Sequence, residues 1–348
     1  MNPPLIVTRD DTLLEELLRL AAAAGVTPEV ARDPGAALRS WTSAPLVLLG
    51  ADVAAEAARL APPPRDGLHI LTWGGSPDAI FRTAVDVGAD SVTDLPRSDA
   101  WVIETLTDLG DHGAARGLTI GVTGGSGGAG ATTFACALGQ VAARSGLSVV
   151  VDVDPLGPGI DRVLGVETRE GVRWDALGQT TGRLSARSLR EALPRRAGVG
   201  VLTWYAGTRA ALPAFAVREA LSAAQRGHDT VVVDLPRTGD PLTEEVAARC
   251  DLLLVVVTPT VAGVASAARL CARFPDPGGV RLVVRGRGLA AREVARATGA
   301  PVLVEMTDQR GLDEGIDLGL GPVRSRRGPL GRAAGAVLDR VALSRAAA

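Results

Sequence analysis

Gly124 to Thr133 reads GGSGGAGATT, between the apolar run TIGVT and the helix-forming stretch FACALGQVAARSG. Glycines in such a run let successive backbone N–H groups converge on one point, and a helix that starts there adds a dipole favouring negative charge. The spacing Gly125-x-x-x-x-Gly130-Ala131-Thr132 is that of a phosphate-binding loop without its lysine. Gly125, Ser126, Gly127, Gly128, Ala129, Gly130, Ala131, Thr132 and Thr133 are therefore the expected phosphate contacts, with the Thr132 hydroxyl directed to Mg²⁺. Asp152 and Asp154 end the apolar run LSVVVDVD, and Asp234 ends DTVVVD. The C-terminal ends of buried strands are where α/β sheets present residues to ligands. An acid after an apolar strand, as Asp234 is, suits the hydration shell of Mg²⁺. Each aspartate taken alone reads as a turn or helix cap. In this order they read as a phosphate and magnesium site, weakened or vestigial for want of a cation.

These residues need a parallel sheet to position them. From LTIGVTGG onward the strands LSVVVDVD, GVGVLTW, DTVVVDLP, CDLLLVVVTP, VRLVVRG and APVLVEM are mostly near-continuous Val/Leu runs, as parallel strands buried on both faces require. An earlier series, with PLIVT, APLVLLG, LHILTW and DSVTDLP as strands and DTLLEELLRLAAAAG and PDAIFRTAVDVGAD as helices, predicts a small doubly wound domain of five short strands. The polar, Gly-rich stretch from Asp108 to Gly117 separates the two series, which places domains at residues 1–113 and 114–348.

The first domain resembles a response-regulator receiver in element order and in GAD...LP near its last strand. The resemblance puts Thr8 and Arg9 at the metal-binding acidic pair, Gly50 at the phosphoacceptor aspartate and Leu95 at the lysine, with Thr72 as the remaining switch residue. A flavodoxin-like pseudo-receiver without phosphotransfer is expected. The second domain resembles the MinD/ParA superfamily of deviant phosphate-loop ATPases over about Leu118 to Val341. That family's K-G-G-x-G-K-[ST] falls on Ser126 to Thr132, so Ser126 and Ala131 stand where it has lysines. The resemblance implies that Asp154 positions the attacking water if the site is active, that Asp152 is its partner, that Asp234 is the magnesium acid, and that Arg285 lies where the adenine is met. The pairing of the two domains, with GGSGGAGATT and DTVVVDLPR, resembles the CpaE/TadZ branch and within it an actinobacterial group of septum site-determining proteins. What this implies is a spatial regulator of septum placement and cell division, or of Tad/Flp pilus and secretion-apparatus localisation. Its partners would be proteins of those assemblies and a second copy of itself.

Composition narrows the alternatives. All 37 basic residues are arginine, against 39 acidic ones, for a net charge of −2. The longest basic cluster, Arg324, Arg326 and Arg327, is short, so nucleic-acid binding of a ParA partition type is not indicated. No apolar run approaches a membrane span and no export signal opens the chain, so the expected location is cytoplasmic, with recruitment to the septum, pole or inner face of the membrane. Cys136, Cys250 and Cys271 are expected in core packing. Leu330, Ala334, Val337, Leu338 and Val341 form an alanine-rich helical stripe that is expected to dock on the sheet, with membrane contact at most peripheral. An alternative remains open in which Arg285, Arg287 or Arg237 replaces the lysines in a working ATPase.

Overall fold

A computed structural model describes residues 2–111, 117–178, 184–205, 213–274 and 279–347. It divides into two compact units, Met1–Ala115 and Arg116–Ala348. Residues 112–116 of the expected linker lie outside the described residues.

The first unit runs β1 (Leu5–Val7), α1 (Asp11–Ala23), β2 (Glu29–Ala31), α2 (Pro34–Trp41), β3 (Val47–Gly50), α3 (Ala51–Arg59), β4 (Leu68–Trp73), α4 (Asp78–Val87), β5 (Ser91–Leu95) and α5 (Asp99–Asp111). Its sheet is parallel throughout, in the order β2-β1-β3-β4-β5. Apolar strands with helices on both faces bury Leu5, Val7, Leu49 and Ile70 on one side and Ile6, Leu48, Leu71 and Leu95 on the other. Asp10 and Asp33 cap α1 and α2, accepting from Leu13 N at 3.1 Å and Ala36 N at 2.8 Å.

The second unit continues with β6 (Leu118–Gly124), α6 (Ala131–Ala142), β7 (Ser148–Asp152), the short α7 (Ile160–Leu164), α8 (Trp174–Leu177) and α9 (Ala186–Ala192), then β8 (Arg195–Arg196) and β9 (Val199–Leu202). Then come α10 (Ala214–Gly227), β10 (Thr230–Asp234), α11 (Pro241–Ala248), β11 (Leu252–Val257), α12 (Val261–Cys271), β12 (Val280–Arg285), α13 (Ala291–Thr298), β13 (Val302–Met306), α14 (Leu312–Asp317) and α15 (Pro329–Ala347). Eight strands lie in the order β13-β12-β11-β6-β10-β7-β9-β8, parallel except for β8 against β9. Because β7 lies to one side of β6 and β11 to the other, the crevice at the C-terminal end of β6 falls where strand order reverses, the usual ligand position in such sheets.

One face of the sheet is covered by α6 and α15, which share a cluster containing Phe134, Leu138, Leu330, Ala334 and Val337. The terminal helix thus spends its apolar face on the core, with Leu338 and Val341 partly buried against the same cluster. No helix among the described residues is long and apolar enough to cross a membrane. Cys136 and Cys271 are buried and Cys250 half-buried, with none of the three in a disulfide.

His228 closes α10 beneath this sheet. It is 4% exposed, with Nδ1 3.0 Å from Ala224 O and Nε2 3.3 Å from Arg195 Nη2. An Nδ1–H tautomer satisfies both, donating to the carbonyl and accepting from the arginine. Burial first, and then the nearby Arg195 and Arg190, depress its pKa to about 4. The unfolded chain takes up this proton below about pH 6.5, whereas the folded one refuses it until about 4. The stability contribution is therefore full above that unfolded value and is lost as pH falls through the interval. Urea unfolding at pH 7 and pH 5 is expected to show a loss for the native protein that His228→Asn reduces by about 1–2 kcal/mol. Equal losses would mean that the imidazole is already charged in the fold.

Candidate functional site

The loop between β6 and α6 is pinned at its start and open at its crown. Gly125 N donates to Val256 O at 2.8 Å, and a Cβ on Gly125 would stand 2.7 Å from Ala267 Cβ, so only glycine fits against α12. Gly128 and Gly130 have left-handed φ of +71° and +94°. The N–H groups of Gly127, Gly128, Gly130, Ala131 and Thr132 make no hydrogen bond among the described residues, and α6 has no side-chain cap. These are the donors that a phosphate would take. Ser126 Oγ lies 3.5 Å from Thr258 Oγ1, Ala129 is buried, and Ala131, Thr132 and Thr133 are half-buried in the first turn.

Beside this cradle, β7 and β10 pair in register with Asp152 opposite Asp234. Both carboxylates are buried, and neither makes a salt bridge among the described residues. Asp152 is satisfied locally: Oδ2 accepts from Thr203 Oγ1 at 2.7 Å and Oδ1 from Asp154 N at 3.1 Å, while Trp174 Nε1 donates to its carbonyl at 2.6 Å. Burial raises its pKa to about 6 against those hydrogen bonds. Asp152 thus orients the 152–154 turn. Thr203 and Trp174, which hold it, carry no local signal in the sequence beyond lying near apolar strands. Asp154 is half-buried, and its Oδ1 accepts from Leu156 N at 2.9 Å.

Asp234 differs. Its Oδ2 is buried with no hydrogen-bond partner among the described residues. Burial first, then the charge of Asp152, raises its pKa to about 8, while the facing Thr132 hydroxyl pulls it down. A buried carboxylate oxygen left unpaired is costly, and a hard cation shared with a hydroxyl and phosphate oxygens would satisfy it. Thr132 and Asp234 fit Mg²⁺ in this respect. No group of three or more His, Cys, Asp or Glu side chains able to hold a metal occurs among the described residues, so the remaining ligands would be phosphate and water.

Two arginines reach the loop. Arg237 Nη2 donates to Gly125 O at 3.3 Å and Ser266 Oγ at 2.9 Å. Arg285 Nη1 donates to Ala129 O at 3.2 Å, and its Nε to Asp308 Oδ1 at 2.8 Å. Arg287 makes no hydrogen bond to the loop among the described residues.

The family described as "Rv3660c-like, CheY-like N-terminal domain" matches residues 7–117. The Mycobacterium tuberculosis proteins Rv3660c (strain ATCC 25618 / H37Rv) and MT3760 (strain CDC 1551 / Oshkosh) are each 37% identical to this chain over 342 residues, covering 94% of it and 95% of their own length. The chain belongs to the Rv3660c-like family. Among solved structures, the ParA family ATPase from Chlorobium tepidum has a TM-score of 0.54 at 15% identity, covering 63% of this chain and 96% of its own. MinD from Aquifex aeolicus scores 0.53 at 20% identity (64% and 96%), and the Mg-ADP complex of MinD from Pyrococcus horikoshii 0.53 at 18% (64% and 95%). At these identities the likeness establishes the fold: the Rv3660c-like chain joins a CheY-like domain to a MinD/ParA-like phosphate-loop domain.

In the CheY-like domain the sheet end that would hold a phosphoacceptor is filled. A Cβ on Gly50 would collide with Asp52 Oδ1 and stand 2.6 Å from Thr8 Oγ1. Asp52, from the first turn of α3, accepts from Thr8 Oγ1 at 2.8 Å, Arg9 N at 2.7 Å and Asp10 N at 3.2 Å. Arg9 is tied to Glu56 at 2.7 Å and Asp33 at 3.4 Å, Leu95 is core, and Thr72 Oγ1 lies 2.9 Å from Ser76 Oγ and 3.1 Å from Asp94 Oδ1. Incubation with acetyl phosphate is expected to add no phosphate to residues 2–111 by intact mass and peptide mapping. Gly50→Asp is expected to destabilise by about 1–3 kcal/mol, as overpacking does, without creating an acceptor. A phosphoaspartate in either protein contradicts this.

Asp234 sets a second expectation. The folded carboxyl keeps its proton to about pH 8, whereas the unfolded one loses it near 3.8, so stability falls as pH rises between these values. Asp234→Asn removes that titration. Calorimetric scans at pH 6, 7 and 8 are expected to show a flatter decline and, at pH 8, a Tm higher by roughly 3 °C or more. An unchanged slope would mean that Asp234 is ionised throughout.

Proposed function

We propose that this chain is a MinD- and CpaE-like spatial regulator whose nucleotide site has lost both loop lysines and binds ATP or ADP with Mg²⁺ weakly. The observation that carries the reading is the pairing of unsatisfied amides at the start of α6 with the unpartnered Asp234 Oδ2 across from Thr132. The backbone cradle would take the phosphates, and Thr132 and Asp234 would hold Mg²⁺. Bound there, Mg²⁺ would supply positive charge against that of the phosphates. Ser126 and Ala131 offer no charge to add to it, and Asp154 is the residue placed to orient water if turnover occurs.

The fold neighbours support a regulator of division or partition. One is titled a MinC:MinD cell division complex and another a septum site-determining protein with Mg-ADP. The CpaE/TadZ resemblance directs the role to septum placement or to a Tad/Flp pilus and secretion apparatus, through protein partners and a homodimer. Affinity capture from the native cell extract is expected to retain septal or secretion-apparatus components, whose identity decides between the two roles.

Missing charge should hurt binding less than catalysis, because the lysines' charge would act most on the charge that grows in the transition state. Calorimetry is expected to show weak Mg·ATP binding to the unmodified protein, with phosphate release very slow or undetectable. Ala131→Lys is expected to tighten binding by roughly tenfold to a hundredfold, the worth of one charged hydrogen bond. Hydrolysis at a steady multiple-turnover rate by the unmodified protein, abolished by Asp154→Ala, would replace this reading with that of a working ATPase.

A further inference from the structure

Between Gly124 and Thr133 the chain carries no charged side chain, and the titratable side chains at the neighbouring ends of β7 and β10 are the acids Asp152, Asp154 and Asp234. A polyphosphate held there finds no positive side chain on the loop itself, so a protein cation must come from elsewhere in the fold. Arg285 does arrive, from 156 positions away in sequence, at the end of β12. Its guanidinium lies so close over Gly130 that a Cβ on that glycine would stand 2.6 Å from Nη1 and 3.6 Å from Cζ. The arginine head therefore sits beside the N-terminus of α6. Asp308, just beyond β13, holds it there through Nε. Only Nε and Nη1 are engaged among the described residues, so Nη2 keeps its donors. Arg237 clasps the opposite end of the loop at Gly125, where the backbone is packed against α12.

Resting on the nucleotide site proposed above, we infer that Arg285 is a phosphate ligand of that site, supplying from β12 the positive charge the loop itself lacks, with Asp308 as the residue that positions it. A planar guanidinium can give two parallel N–H groups to phosphate oxygens. Its bond to the Ala129 carbonyl is the one given up when phosphate enters. Since the contact is to the phosphate chain and not to the base, inorganic tripolyphosphate is bound by the same group as ATP.

The test uses the full chain, titrated calorimetrically with Mg·ATP and separately with Mg·tripolyphosphate at two salt concentrations. Arg285→Gln keeps an amide able to donate to Ala129 O but loses the charge. It is expected to weaken both ligands by roughly tenfold to a hundredfold and to make binding less sensitive to salt. Arg285→Lys keeps the charge and is expected to fall between. Asp308→Asn, which frees the guanidinium without removing it, is expected to weaken both ligands several-fold; with Arg285→Lys it decides the matter should the glutamine variant fail to fold. Unchanged affinity in Arg285→Gln overturns the inference and leaves the nucleotide site standing. So does a loss confined to ATP, which would mark a base contact, or a gain for both ligands, which would mark a plug. An unmodified protein that binds neither ligand overturns the site and the inference together.

Discussion

Two carboxyl groups held side by side at the ends of neighbouring central strands, neither in a salt bridge among the described residues, are the constraint around which the second unit is arranged. Parallel pairing of β7 with β10 forces Asp152 and Asp234 into register, and the Val runs that precede them make the burial unavoidable. The fold resolves the conflict unequally. Asp152 is given a threonine hydroxyl and a backbone amide, while Asp234 keeps one oxygen with no donor among the described residues. A fold needing only stability gains nothing from an acid in that place, since a buried carboxyl left unpaired costs more than an apolar side chain of similar size. The arrangement makes sense as a cost borne for a ligand.

The two units differ in how their strand ends are satisfied. In the CheY-like unit Asp52 turns back from α3 and accepts from the amides of Arg9 and Asp10 and the hydroxyl of Thr8 in front of Gly50. In the MinD/ParA-like unit the loop carries Ser126 and Ala131 and no lysine, while its left-handed glycines, the helix start without a side-chain cap and Asp234 Oδ2, without a hydrogen-bond partner among the described residues, face one another unsatisfied. The first site is closed by its own hydrogen bonds, whereas the second still has donors and an acceptor to offer.

Much of this was legible along the chain, because its signals are local. Val-rich strands ending in aspartate, a glycine loop leading into a helix, and the alanine-rich terminal stripe each declare themselves within a dozen residues. What escaped was short or distant. β2 is three residues long and largely exposed, and β8 is two residues pairing antiparallel with β9, so neither has an apolar run to reveal it. The helices α7 to α9 are too brief for a helical period to show. Arg285 is named from the sequence as a residue of the site, but its seat over Gly130, like Thr203 under Asp152 and Asp52 in front of Gly50, is a meeting across the fold, decided by strand order and not by neighbours in sequence.

The terminal helix, α15, lies along α6, the helix whose first turn forms one wall of the phosphate cradle. Leu330, Ala334 and Val337 fill the space behind Phe134 and Leu138. A shortened chain ending before Pro329 would therefore not be this protein with a tail trimmed off. It would lack the packing behind α6, the helix that follows the glycine loop, because contacts that α15 makes along its length are made with that helix.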